Sequence, residues 1–205
     1  MEDRLRRIEG NLHTVEVVRQ NALAANDLRK VAQVEDLILR MEQQITTLTA
    51  RFQQLVWAGE AYSAVQPEET QMDRKHIFAI NGDPDFLNIV RVLLQEEQYN
   101  VTTTNFVPRS FDQIAALQPS LLLIDLVTGE RAGWELLERL HEEARTRNLP
   151  VIVASNEQRL LDRAQGDAKR YGGKGFLIKP MHLDALLDGI RELIGNATEH
   201  PRPIT

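Results

Sequence analysis

The chain has 205 residues, a length that allows one large domain or two small ones. Hydrophobic residues make up 42% and charged residues 26%, which is ordinary for globular proteins, and no long uncharged apolar run predicts a membrane span. The charged N-terminus does not resemble a secretory signal and cysteine is absent, so we expect a cytoplasmic protein without disulfide or thiolate chemistry. The net charge of -6 argues against general binding to nucleic-acid backbones.

Residues 1–64 predict a helical module, because they contain no proline and only two glycines. Their apolar residues recur at heptad spacing, which is typical of a coiled-coil seam. The first block is Leu5, Ile8, Leu12 and Val15, and the second is Val31, Val34, Ile38, Met41, Ile45, Leu48, Phe52 and Leu55. Such a seam needs a partner, so we expect this module to form a homo-oligomer.

The two heptad blocks are out of register with each other. Either one long helix shifts its seam between the blocks, or the chain turns at Asn26 and Asp27 and begins a second helix capped there. We favour the turn. Residues 65–75, which contain Pro67 and no periodic apolar pattern, predict a linker.

Residues 76–195 alternate five predicted strands with five predicted helices. The strands are residues 76–80, 101–104, 121–125, 151–155 and 176–178, and the helices are residues 86–97, 108–117, 134–147, 159–171 and 183–194. The third and fourth strands are apolar without alternation, as expected of parallel strands covered on both faces. The predicted fold is therefore α/β with a doubly wound five-stranded parallel sheet, followed by a flexible tail at residues 196–205.

Polar residues close several of the predicted strands. Asp83 follows the first strand, Asp125 ends the third, Ser155 ends the fourth and Lys179 follows the fifth. In an open parallel sheet, ligands bind outside the carboxyl ends of the strands, so these side chains are expected to converge at one edge.

Residues 76–195 resemble the receiver domain of two-component response regulators, which has the chemotaxis-type, flavodoxin-like fold with strand order 2-1-3-4-5. The resemblance is carried by four segments in a specific order: LLLIDL, which contains Asp125; GWELLERL from Gly133; PVIVAS, which ends at Ser155; and YGGKGFLIKP, which ends at Pro180. The resemblance implies a signalling protein whose partners include a histidine kinase or another signalling protein.

The resemblance also implies a role for each residue at the carboxyl edge. Asp125 corresponds to the aspartate that is phosphorylated, and Ser155 to the hydroxyl that contacts the phosphoryl group. Lys179 corresponds to the lysine that pairs with the acceptor, and Phe176 to the aromatic side chain that completes the switch. A hydroxyl and an ammonium group suit this task, because phosphate brings up to about two negative charges and three acceptor oxygens.

The sequence departs from the family at the first strand, where typical receivers place two adjacent acidic residues that hold Mg²⁺. Asn81 and Gly82 stand at the matching positions, and Asp83 lies one residue beyond. With Asp83 and Asp125 as the only carboxylates available, we expect weak Mg²⁺ binding, because this ion prefers carboxylate oxygens. An ion pair between Asp125 and Lys179 would then hold the site in one conformation, as in a pseudo-receiver with impaired phosphorylation.

We find no independent set of catalytic residues and do not expect an enzyme. Two alternatives to an atypical receiver remain: a transcription regulator whose N-terminal helices bind DNA, and a structural scaffold subunit. Residues 1–70 carry 8 Lys and Arg against 11 Asp and Glu, which makes DNA binding the weaker alternative.

Overall fold

The computed structural model describes residues 2–57, 74–105, 107, 110–127, 129, 131–171, 173–179 and 181–197. Residues 58–64 of the predicted helical module, residues 65–73 of the predicted linker and residues 198–205 of the predicted tail lie outside the described residues. The chain divides into two compact units, Met1–Asp73 and Arg74–Thr205. Within the described ranges, no helix is both long enough and apolar enough to cross a membrane.

The first unit is a helical hairpin, built from α1 (Glu2–Ala24) and α2 (Leu28–Trp57). The turn between the two helices includes Asn26 and Asp27, where the sequence predicted it. Asn26 adopts a left-handed backbone with φ of 55°, a conformation that asparagine tolerates better than most residues. Asp27 then caps α2, since its Oδ1 accepts a hydrogen bond from the Lys30 amide at 3.0 Å.

The hairpin buries one apolar face of each helix against the other. Its buried residues are Ile8, Val15, Val18 and Ala22 on α1 and Val31, Val34, Leu37 and Met41 on α2. Ile38, Ile45 and Leu48 of the predicted seam are only half-buried. Leu37 takes part in the core instead, because residues on a straight helix recur every 3.6 positions rather than every 3.5. The side chains of Phe52 and Leu55 lie outside the described part of the chain.

The second unit is a five-stranded, all-parallel sheet with the order β2-β1-β3-β4-β5. Its strands are β1 (His76–Ile80), β2 (Asn100–Thr104), β3 (Leu121–Asp125), β4 (Val151–Ser155) and β5 (Gly173–Ile178). Its helices are α3 (Pro84–Glu96), α4 (Ser110–Leu117), α5 (Ala132–Glu142), α6 (Gln158–Gly166), α7 (Ala168–Tyr171) and α8 (Leu183–Ile194). The sequence-based fold class, including the strand order, is confirmed.

The central strands β1, β3 and β4 are almost entirely buried, which explains their apolar runs. Phe78, Leu122 and Val153 point toward one face, where they pack with residues of α4, α5, α6 and α7. Gly133 lets α5 come close to the segment after β3, since a Cβ there would lie 2.7 Å from Leu126 Cδ2. The start of α5 is thereby held next to the end of β3, where the candidate site lies.

Two predicted helices differ from the observed ones, one by ending early and one by being divided. The helix predicted over residues 134–147 stops at Glu142, because the buried Thr146 hydroxyl donates to the Leu140 carbonyl at 2.7 Å and takes up the helix end. The helix predicted over residues 159–171 is divided into α6 and α7 at Asp167. Both differences lie in segments that lead back to the start of the next strand, away from the carboxyl edge of the sheet.

Candidate functional site

The carboxyl ends of β3 and β5 bring Asp125 and Lys179 together. The Lys179 Nζ lies 2.8 Å from Asp125 Oδ2, and the two side chains are only 13% and 10% exposed. At this separation and with little water, their attraction is several times stronger than that of a surface ion pair. Removing two charges from water costs free energy, which their mutual attraction offsets. Loss of either side chain would therefore leave the other charge buried without this partner.

Phe86 provides a second contact for the lysine. Its ring lies with the centroid 4.7 Å from Lys179 Nζ, within the range of a cation–π interaction. The Lys179 main chain is also fixed, because its amide donates to the Ser155 carbonyl at 2.8 Å. The ammonium group therefore lies between a carboxylate and an aromatic face at a defined position.

Ser155 is fully buried at the end of β4 and contacts the main chain rather than the Asp125 carboxylate. Its hydroxyl donates to the Leu126 carbonyl at 2.7 Å and accepts from the Glu157 amide at 3.1 Å. Leu126 directly follows Asp125, so the hydroxyl links the ends of β3 and β4. To donate to a phosphoryl group on Asp125, the hydroxyl would have to give up its bond to the Leu126 carbonyl.

Asn81, Gly82 and Asp83 form a tight turn between β1 and α3. Asn81 is 4% exposed, and its Oδ1 accepts a hydrogen bond from the Asp83 amide at 2.8 Å. The Asp83 Oδ1 accepts from the Asp85 and Phe86 amides at 3.0 and 3.3 Å, which makes Asp83 the N-cap of α3. The Oδ1 atoms of Asn81 and Asp83 are thus directed to the backbone of the turn and the helix.

This donor set does not fit a Mg²⁺ site of the kind that the fold family implies. One Asp125 oxygen lies against an ammonium group, one Asp83 oxygen caps a helix, and the Asn81 amide oxygen is already an acceptor. No group of three or more His, Cys, Asp or Glu side chains arranged to hold a metal occurs in the part of the chain that the structure describes. Mg²⁺ demands near-octahedral oxygen ligation, for which these residues offer few suitable atoms.

Phe176 lies on β5 in register with Val153 of β4. It is half-buried and packs against the apolar cluster between the sheet and α4–α7. Beside the site, Val127 and Ile178 each expose 43% of their surface. Phe176 therefore belongs to the apolar cluster, whereas Val127 and Ile178 lie within two residues of the polar pair in the sequence and expose apolar surface.

Sequence reasoning identified the Asp125–Lys179 pair but missed the contact with Phe86. The only sequence signal for this contact is the position of Phe86 three residues after a helix N-cap at the sheet edge. Its proximity to Lys179 depends on how α3 packs on the sheet, which no local pattern specifies.

Comparison with known protein families identifies the fold's relatives. The sequence model described as "Response regulator receiver domain" matches residues 77–191, more than half of the chain. The chain belongs to this family. The match begins within β1 and ends within α8, so it contains every residue of the candidate site.

Curated relatives of the receiver unit include a transcriptional regulator and a cell cycle response regulator. The DNA-binding dual master transcriptional regulator RpaA of Synechocystis is 25% identical over 126 residues, covering 62% of this chain and 52% of that protein. The cell cycle response regulator CtrA of Brucella ovis is 22% identical over 129 residues, covering 62% and 53%. The chain spans about half the length of these relatives.

Solved structures show the same fold. The chemotaxis protein CheY4 of Vibrio cholerae superposes with a TM-score of 0.53 at 17% identity, covering 58% of this chain and 98% of that one. The receiver domain of the sensor histidine kinase PA1611 of Pseudomonas aeruginosa, solved with a magnesium ion in its active-site cleft, has a TM-score of 0.51 at 16% identity and covers 60% and 99%. At these identities the likeness establishes the fold alone.

Proposed function

We propose that this protein is an atypical receiver that signals through protein contacts, with phosphorylation of Asp125 strongly impaired. The observation that supports the proposal is the 2.8 Å ion pair between Asp125 and Lys179, next to a turn that has Asn81 and Gly82 in place of an acidic pair. Lys179 neutralises Asp125 without a metal ion. The site is therefore stable in its unphosphorylated conformation.

Electrostatics explains why phosphoryl transfer is expected to be slow. Transfer replaces the Asp125 carboxylate, with a charge of about −1, by an acyl phosphate with a charge of about −2 beside Lys179. Phosphoryl transfer depends mainly on positioning and on cations that offset this charge. Each missing carboxylate near a metal ion removes on the order of 4 kcal/mol of attraction at an effective dielectric of about 20, before desolvation is subtracted.

We propose a second signalling or kinase protein as partner of the receiver unit, and self-association of the helical hairpin. Among the relatives, RpaA is named as DNA-binding, but this chain covers about half of that protein. The acidic excess in residues 1–70 argues against DNA binding by the hairpin. A passive scaffold role would differ from our proposal in showing no response to a phosphoryl donor in any variant.

The experiment restores the acidic pair with Asn81→Asp and Gly82→Asp. Gly82 tolerates the change, because it is exposed, its φ lies outside the left-handed region and no atom lies within 4 Å of a built Cβ. Mg²⁺ affinity is measured by calorimetric titration and phosphate incorporation from acetyl phosphate by mass spectrometry. Wild type that has not been incubated after purification should bind Mg²⁺ weakly and incorporate negligible phosphate. The double variant should bind Mg²⁺ more tightly and incorporate phosphate.

Two controls make the result specific. The double variant carrying Asp125→Asn should lose the phosphate that the double variant gains. A charge-matched variant, Gln113→Asp with Ala116→Asp on the exposed side of α4, should behave like wild type. Efficient, Mg²⁺-dependent labelling of fresh wild type at Asp125 would contradict the proposal.

A further inference from the structure

Asn81 and Gly82 form the only Asn-Gly dipeptide in the sequence. In such a pair, the amide nitrogen of the glycine can attack the side-chain carbonyl of the asparagine, because glycine has no Cβ to hinder the approach. We propose that Asn81 is a self-modification site, at which the folded protein converts its own amide to a carboxylate beside Asp125.

The turn orients the reacting carbonyl. The Asn81 Oδ1 accepts a hydrogen bond from the Asp83 amide at 2.8 Å. The ring closed by this bond contains both the Asn81 Cγ and the Gly82 nitrogen, so the side chain is folded back over the peptide bond that attacks it. The same N–H donor polarises the carbonyl and stabilises the negative charge that develops on Oδ1, as the donors of an oxyanion hole do.

The nucleophile is accessible. The Gly82 N–H donates no hydrogen bond to the residues that the structure describes, so its deprotonation breaks no contact. Gly82 is exposed, and the space around its Cα is open. Attack by this nitrogen on the Asn81 Cγ therefore breaks no hydrogen bond that its N–H makes to the described residues.

The leaving group is also unrestrained. The Asn81 Nδ2 has no hydrogen-bond partner within the described ranges, because this side chain bonds there through Oδ1 alone. The Gly82 nitrogen forms a bond to Cγ, the Cγ–Nδ2 bond breaks, and Nδ2 leaves as ammonia with the proton released by the amide. Water then opens the resulting five-membered imide at either carbonyl, giving aspartate or isoaspartate.

The overall reaction consumes one water and releases one ammonia, with no oxidant or reductant. Although Asn81 itself is 4% exposed, both groups that form the imide belong to the chain, and the ring includes the exposed Gly82. Water is needed only for the opening of this ring. Burial of the asparagine side chain therefore does not remove a reactant from the first step.

The product has a defined neighbour. β1 and β3 are parallel with Ile80 opposite Ile124, so position 81 follows on opposite Asp125. A carboxylate at position 81 would compete with Asp125 for Lys179 and offer Mg²⁺ a second acidic group. This consequence rests on the proposed function, whereas the modification itself does not.

The test follows the full-length chain by peptide mapping during incubation in mildly alkaline buffer made with ¹⁸O-labelled water. Asn81 should convert first and incorporate ¹⁸O, while the exposed Asn148, Asn156 and Asn196, which precede Leu, Glu and Ala, should remain intact. Gly82→Ala, which fits the open space, should remove most of the modified peptide. Equal conversion in Gly82→Ala, or an intact Asn81 when other asparagines have converted, would overturn the proposal.

A second readout separates the modification from its consequence. Incubated wild type should bind Mg²⁺ more tightly than fresh protein, as should Asn81→Asp, whereas incubated Gly82→Ala should not. If Asn81 converts without a change in Mg²⁺ affinity, the modification stands and its effect on the site is refuted. Failure of the proposed function would be seen separately, as efficient phosphate labelling of protein that has not been incubated.

Discussion

Lys179 is the residue on which the candidate site depends most, because it touches both Asp125 and Phe86. We predict that Lys179→Met destabilises the receiver unit by about 3 kcal/mol, since it leaves a carboxylate that is 10% exposed without its cation. Urea unfolding followed by Trp134 fluorescence measures this, in a Trp57→Phe background that removes the signal of the other unit.

Two further variants test the physical reason for that loss. Lys179→Met combined with Asp125→Asn should recover most of the stability, because the buried charge is removed with its partner. Arg131→Met breaks an ion pair with Glu135 in which the side chains are 89% and 63% exposed, and should change stability by less than about 0.5 kcal/mol. An equally small effect of Lys179→Met alone would show that Asp125 does not need the lysine.

His76, at the start of β1, makes the stability of the receiver unit depend on pH. Burial lowers the pKa of His76, and its Nε2 lies 2.9 Å from the Thr102 hydroxyl on β2. The unfolded chain therefore takes up this proton at a higher pH than the folded protein. The free energy of unfolding should fall as pH drops below about 6.5. Above that value His76 is neutral in both states, so its protonation should not change the stability.

Denaturation curves on both sides of that pH, compared between wild type and His76→Gln, isolate this contribution. The difference in stability between the two proteins should change with pH only below the unfolded pKa of histidine. A constant difference over the whole range would mean that protonation of His76 costs the folded state nothing.

At the scale of elements, the start of α3 decides between two roles for Asp83. Its carboxylate caps the helix by accepting from two backbone amides. We predict that Asp83→Ala costs about 1 kcal/mol while Asp83→Asn, an equally good cap, costs little. Neither variant should change the weak Mg²⁺ affinity measured by titration. A clear loss of Mg²⁺ binding in Asp83→Asn would instead make Asp83 a metal ligand.

Elements with a strong local signal could be predicted from the sequence, and those fixed by packing could not. The apolar runs of β1, β3 and β4 and the cap at Asp27 are local, and the structure has them where they were expected. The end of α5 depends on a hydroxyl that reaches back six residues to Leu140, and the Phe86 contact depends on how α3 packs. The Asp125–Lys179 pair was predictable because parallel strands align their carboxyl ends.

For the whole molecule, the helical hairpin retains apolar surface that it does not bury itself. α2 has 30 residues and α1 has 23, so the last part of α2 extends beyond the length that α1 can cover. Ile45 and Leu48 are half-buried, and Leu39 exposes 54% of its surface. An isolated pair of helices with such a face gains stability by packing against a second copy.

We therefore predict that the full-length chain forms at least a dimer through the second half of α2, measured by multi-angle light scattering. Ile45→Glu with Leu48→Glu should reduce the mass to that of a monomer, because two carboxylates would be buried in an apolar contact. Gln43→Glu with Thr47→Glu adds the same charge at exposed positions of this helix and should leave the assembly intact. A monomeric wild type, or an unchanged mass in the first variant, would mean that α1 alone satisfies the seam of α2.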